Sequence, residues 1–265
     1  MVINVAFESG GIKGLAYVGV IKYLEERGYK IFKASGTSVG AIFAALLVSG
    51  FKHKEIIDII ENINISQIIK ENSLKDKIKG KGLNSICNLE NKIAEILAKK
   101  KIKTFQDLKY GDSYRLKIIV TDNKNKKSVI LPDDLIKYNI NPDTFKIAKA
   151  IAMSCSIPIV YSEYRIGENR FVDGGATYRF PLEVVIDGVH PVLGVKLIRN
   201  NKLLLDFIQN KIYKTKSNCL EDKNVVILEI KIDDIKATQF AKGLKNKEVL
   251  YKVGYCCALK NLNNK

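Results

Sequence analysis

Residues 33–50, KASGTSVGAIFAALLVSG, decide how this chain is read. Within them Gly36, Thr37, Ser38, Val39 and Gly40 form a Gly-x-Ser-x-Gly pentapeptide. A strand signal precedes it at 29–35, and Ala41–Val48 follows, apolar on every side as a helix buried in mid-domain is. A sharp turn from strand to helix pushes a serine hydroxyl out of the backbone and into a site. Glycine two residues before and two after leaves room where such a turn crowds the chain. Chance supplies so short a pattern often, and its meaning rests on what surrounds it.

Upstream, Val2–Phe7 is a continuous apolar run suited to a buried parallel strand. Glu8, Ser9, Gly10, Gly11, Ile12, Lys13 and Gly14 make a glycine turn, followed by an amphipathic helix that Gly28 closes. Strand, glycine turn, helix and strand begin a βαβ unit. Downstream, isoleucine spacing predicts a helix over 53–63 and another over about 89–99. Residues 64–103, rich in lysine, read as a cap or lid insertion or equally as a solvated helical insertion. A hairpin is expected from 115–121 and 127–131 around DNKNK, and a helix over 145–153 that ends before SCSIP. An extended stretch YSEYRI, a turn at GEN and RFVDGG follow. Next come a short helix over 181–186 beginning with proline, a strand at 192–197, a helix at 203–213, a strand at 225–230 and a last helix over 244–262. No repeat or linker interrupts the order, so one mixed α/β domain over 1–265 is expected.

The 265 residues, 46% hydrophobic, suffice for one large core. The first residues lack the basic and long apolar regions of a signal peptide, and no apolar run is long enough to span a bilayer. Five cysteines, an odd number without a Cys-x-x-Cys, point to a reducing cytoplasm. With two histidines and no Cys/His spacing, no metal site is expected. The formal charge of +16 suits a polyanion, either nucleic acid or an anionic membrane face, or else reflects lysine used as a solubiliser. No aromatic residues interleave the basic runs and no nucleic-acid motif is present, so no nucleic-acid partner is expected.

An elbow serine needs a base and donors for an oxyanion. The amides of Gly10 and Gly11, unshielded at a helix N-terminus, suit the donors, although the same loop reads equally as a plain βα turn. It is neither a dinucleotide fingerprint nor a P-loop. For the base, Asp173 and His190 complete a hydrolase-like order with Ser38, but only two strands precede the elbow. Asp173 alone is the other candidate, against the reading of Asp-Gly as a hairpin turn. A non-catalytic module binding acyl groups or anions fits the glycine loop as well.

Taken together, SGGIKG (9–14), GTSVG (36–40) and DGG (173–175) resemble the patatin-like phospholipase family. AKAIAMSCSIP (148–158), GVHPVLGVKL (188–197) and KEVLYKVGYCCA (247–258) are similar to further segments of it. The resemblance implies a three-layer α/β sandwich with a central, mainly parallel sheet. It implies a serine acyl hydrolase working on lipid esters without calcium, and no other cofactor is expected; a lipid substrate would put it at an interface, where the basic charge suits anionic membrane lipid. Carried onto this sequence, Ser38 is the nucleophile and Asp173 the base, and Gly10, Gly11, Ile12 and Lys13 supply the oxyanion hole. Gly14, Gly36, Gly40, Gly174 and Gly175 support the motifs. Ser9 departs from the family, which commonly has a third glycine there.

Overall fold

The structure, a computed structural model, describes residues 1–63, 86–158, 161–198 and 224–263. The helix expected at 203–213 lies outside the described residues, as does the expected cap as far as residue 85. The first half runs β1 (Val2–Phe7), a 3-10 turn (Gly11–Leu15), α1 (Ala16–Glu26), β2 (Lys30–Thr37), α2 (Val39–Val48), α3 (His53–Asn62) and α4 (Cys87–Ala98). Then come the short pair β3 (Lys109–Tyr110) and β4 (Ser113–Tyr114), followed by β5 (Leu116–Asp122), β6 (Lys127–Leu131) and α5 (Ile147–Ser154). The last part holds β7 (Tyr164–Ile166), β8 (Asn169–Asp173), β9 (Val192–Ile198), β10 (Val225–Lys231), α6 (Phe240–Lys245) and α7 (Lys247–Leu262).

Strands β10, β9, β1, β2 and β5 pair in that order, all parallel. The expected α/β class with a mainly parallel sheet is therefore observed. Side-chain alternation assigns the two faces. Ile3, Val5 and Phe7 enter the large core shared with α1, α2, α5 and α7, whereas Ala6 joins Phe180, Leu182, Val185 and Val192 on the other face. Phe7, Tyr17 and Phe43 pack ring to ring at 4.9, 5.5 and 6.5 Å between β1, α1 and α2. Each such pair adds about 0.5–1.5 kcal/mol beyond area burial.

β5 holds the sheet's decisive junction. Ile118 and Ile119 pair with β2 and also with β6, so those two strands lie on opposite edges of β5. Val120, Thr121 and Asp122 pair with β6 and also with β8. β2 and the antiparallel β8 thus share one edge of β5 and meet end to end, Thr37 opposite Ile119 and Asp173 opposite Val120.

Two sequence expectations change. Only Glu183–Val185 forms a turn of 3-10 helix where a helix from Pro181 was expected. The reason is that β2 hydroxyls claim carbonyls of this segment, Ser35 Oγ donating to Pro181 at 2.6 Å and Thr37 Oγ1 to Tyr178 at 2.9 Å. The final helix is broken at Asn246 into α6 and α7.

Candidate active site

β2 ends at Thr37 and α2 begins at Val39, so Ser38 alone makes the turn. Its φ of 56° and ψ of −124° lie in a region that costs a non-glycine residue about 1–3 kcal/mol. The surroundings hold it there. The Ser38 amide donates to Ser154 Oγ at 2.8 Å, and that hydroxyl donates to the Ile119 carbonyl at 2.6 Å. The Ser38 side chain makes no capping bond to α2, which leaves its hydroxyl for the site. The flanking glycines are sterically required. A Cβ on Gly36 would lie 2.1 Å from the Gly40 carbonyl oxygen, and one on Gly40 would lie 2.4 Å from that of Phe7.

Asp173 is the last residue of β8 and caps a 3-10 turn over Gly174–Ala176, its Oδ1 accepting from the Gly175 amide at 2.7 Å. Its own amide donates to the Ser156 carbonyl at 2.9 Å, and its carbonyl accepts from Thr121 Oγ1 at 3.0 Å. Asp173-Gly174 is therefore not the tip of a hairpin; that turn is at Gly167, between β7 and β8. Gly174 packs on the Ile119 carbonyl, and Gly175 lies against the Ser9 side chain. Ser38 and Asp173 are both buried. The buried Cys155 thiol lines the same cavity as Ser38. Burial pushes its pKa well up, the nearby Asp173 charge acts in the same direction, and a hydrogen bond with the Ser38 side chain opposes both.

The glycine loop leaves β1 at the same end of the sheet. Gly11 has φ +55°, and a Cβ there would lie 2.2 Å from the Ala237 carbonyl oxygen. Among the described residues no protein group accepts from the amides of Gly10 or Gly11. Ile12 differs from the expectation, because its amide donates to the Ala237 carbonyl at 3.0 Å and is already engaged. Lys13 turns its buried side chain away, Nζ donating to the Ile232 carbonyl at 2.6 Å, and so ties the loop to the end of β10. Gly14 packs against Val39 at the start of α2. Ser9, the departure from the family pattern, donates its amide to the Arg179 carbonyl at 2.9 Å.

His190 is at the opposite end of the sheet. Its ring stacks on Phe32 at 4.5 Å and its Nδ1 lies 3.0 Å from Asp187 Oδ2. Phe32 precedes Ser38 by six residues of strand, roughly 20 Å, so a triad of Ser38, Asp173 and His190 is not assembled. His53 pairs with Glu25 on α1.

Ser38 opens on an apolar cavity of about 180 Å³. One face of α2 lines it with Val39, Ile42, Phe43 and Leu46, isoleucines of α3 and α4 form the facing wall, and Gly11 and Cys155 complete the end beside Ser38. The arrangement can hold an apolar chain with its polar end at the serine. Ser154, Cys155, Ser156 and Glu8 are parts of the site that residue-by-residue reading did not single out. Their signal was polarity in buried company: a Ser-Cys-Ser run directly after an apolar helix, and an acid directly after an apolar strand. Glu8 Oε2 accepts from the Leu197 amide at 2.7 Å and Oε1 lies 3.7 Å from Arg179 Nε, which joins β1, β9 and the segment after Asp173.

Residues 5–186 match the family model described as patatin-like phospholipase. Uncharacterized protein YqhO of Bacillus subtilis is 31% identical across 96% of both chains. Probable lipid hydrolase 463L of Invertebrate iridescent virus 6 is 23% identical over 69% of this chain and 63% of its own. Among solved structures, VipD from Legionella pneumophila superposes with a TM-score of 0.62 at 15% identity, covering 99% of this chain and 67% of that one. The type III effector ExoU gives 0.51 at 18% identity, over 98% and 53%. At these identities the two structures show a shared fold. The family model spans the glycine loop, the serine elbow and the Asp-Gly-Gly turn in one match, and the chain belongs to the patatin-like phospholipase family of lipid hydrolases.

Proposed function

We propose that this chain is a serine acyl hydrolase that cleaves fatty-acyl ester bonds of phospholipids or related lipids through an acyl-enzyme on a Ser38–Asp173 dyad. The observation that carries this reading is the convergence at one sheet end of the Ser38 elbow, Asp173 and the two unengaged amides of Gly10 and Gly11, at the mouth of an apolar cavity. The acyl chain lies in the cavity, which puts the ester carbonyl at Ser38. Ser38 Oγ attacks that carbon and Asp173 accepts its proton. The Gly10 and Gly11 amides hold the tetrahedral oxyanion, and collapse returns the proton to the leaving alcohol. Asp173 then takes a proton from water, whose oxygen attacks the acyl-enzyme, and the fatty acid and free Ser38 are regenerated.

A carboxylate of ordinary pKa near ~4 is a weak base for a serine hydroxyl. Stabilisation of the oxyanion must therefore lower much of the barrier, each lost donor typically costing about 10²–10³ in rate. The Gly10 and Gly11 amides, without an acceptor among the described residues, suit that demand. The +16 charge attracts the chain to anionic lipid, where its substrate resides. The whole chain works as one domain.

The test is product mass spectrometry on a mixed lipid extract incubated with wild type, Ser38→Ala and Asp173→Asn. Free fatty acid and the matching deacylated lipid are expected from wild type alone. Equal release by either variant would sink the dyad.

A further inference from the structure

We propose that the tripeptide Ser154-Cys155-Ser156, at the C-terminal end of α5, is the positioning element that sets Ser38 against Asp173. The inference rests on the dyad reading above and deepens it. β2 and β8, which deliver the two residues, share no ladder with each other; on their common edge of β5 each is bonded to its own stretch of that strand. Their ends abut, and within the sheet they are joined only through β5. The tripeptide supplies a second tie. Ser154 Oγ accepts the Ser38 amide at 2.8 Å, and two residues on, the Ser156 carbonyl accepts the Asp173 amide at 2.9 Å.

The tripeptide is itself anchored. Ser154 Oγ donates to Ile119 on β5, the Cys155 amide donates to the Ile151 carbonyl at 2.9 Å, and Ser156 Oγ donates to the Ala152 carbonyl at 2.9 Å. Ser154 and Ser156 are fully buried, so water cannot replace either bond. The thiol between the two serines is buried and lines the cavity together with Ser38. These contacts bear on the chemical step more than on binding. Most of the cavity wall comes from α2, α3 and α4, with Cys155 at the end beside Ser38, whereas the Ser154 bond holds the backbone that carries the hydroxyl. Removing that hydroxyl leaves the Ser38 amide buried without its acceptor, and the strained elbow relaxes toward an ordinary conformation.

The experiment compares Ser154→Ala, Ser154→Thr and Ser154→Val with wild type. Thr and Val have the same shape and differ in the hydroxyl alone. Two quantities are read: kcat and KM on p-nitrophenyl butyrate, and the rate at which a fluorophosphonate labels Ser38. In the Ala and Val variants, kcat and the labelling rate should fall together by about 10- to 100-fold, the scale of a misplaced reacting group, with KM little changed. Thr should label and turn over at least ten times faster than Val. Wild-type kcat and labelling in Ser154→Ala, or equal rates in Thr and Val, would overturn the proposal. If the wild type turns over ester yet leaves Ser38 unlabelled, the dyad reading itself fails and the positioning role falls with it.

Discussion

Ser38 and His190 show how far a single residue's meaning depends on where the strand carries it. The two share the composition of a triad, but β2 separates them: Phe32, against which His190 stacks, lies at the start of the strand whose end is the elbow. At that far end His190 serves a carboxylate. Burial works to raise the pKa of Asp187, but the amides of His190 and Val189, the Asn4 side chain and the His190 ring outweigh it and hold the carboxyl well below its ordinary range. A depressed folded-state pKa stabilises above the unfolded value near ~4 and is lost as pH falls below it. Asp187→Asn should therefore lower the melting temperature at pH 7, and the gap to wild type should shrink toward pH 3 in calorimetry. His190→Ala should keep esterase activity within about twofold, a surface-type effect on catalysis; collapse of activity would point to a histidine base. Ile12 gives the complementary lesson, since its amide is in the expected loop but already bonded to Ala237, a partner 225 residues away that no local pattern reveals.

At the scale of elements, α2 does two jobs with two faces. Ala41, Ala44 and Ala45 are small and fully buried, which lets the helix lie close on β1, β2 and β5, while Ile42 is half-exposed and faces the cavity. An apolar run without a polar side was legible in sequence as a buried helix, but its cavity face was not, because a void lined by isoleucines has the same composition as a packed core. Ile42→Trp should fill part of that void without overpacking the sheet side. Activity on long-chain p-nitrophenyl esters is expected to fall by at least about tenfold relative to the butyrate, the order of selectivity an apolar pocket achieves. Unchanged chain-length preference would place the acyl group elsewhere. The segment after Asp173 was misread for a related reason. Pro181 suits the first turn of a helix, but the Ser35 and Thr37 hydroxyls, two apart on one face of β2, bond the segment's carbonyls and keep it extended.

For the whole molecule, charge and topology act on different questions. A field of +16 bears on association and says nothing about fold. Among the described residues no helix is long and apolar enough to cross a membrane. Raising salt from about 0.1 M to about 1 M shortens the screening length from about 10 Å to about 3 Å. Flotation with vesicles containing phosphatidylserine should then show binding reduced at least several-fold, with little binding to phosphatidylcholine alone at either salt. Salt-independent binding would argue for an apolar contact instead.

The sequence by itself determined the βαβ start and the buried helix after the elbow, and it offered Ser38 as an elbow residue, with Asp173 as its base through the family resemblance. Those are local matters: hydrophobic period, glycine where the chain turns sharply, and an acid after a strand. Only the tertiary structure decided that β2 and β8 abut on one edge of β5, and that Ser154 and Ser156 reach both of their ends. It also decided that His190 lies at the wrong end of the sheet. The physical reason is that these depend on the register of strands paired across roughly 50 to 80 residues of chain, which is set by the packing of the whole core and leaves no mark in any short window.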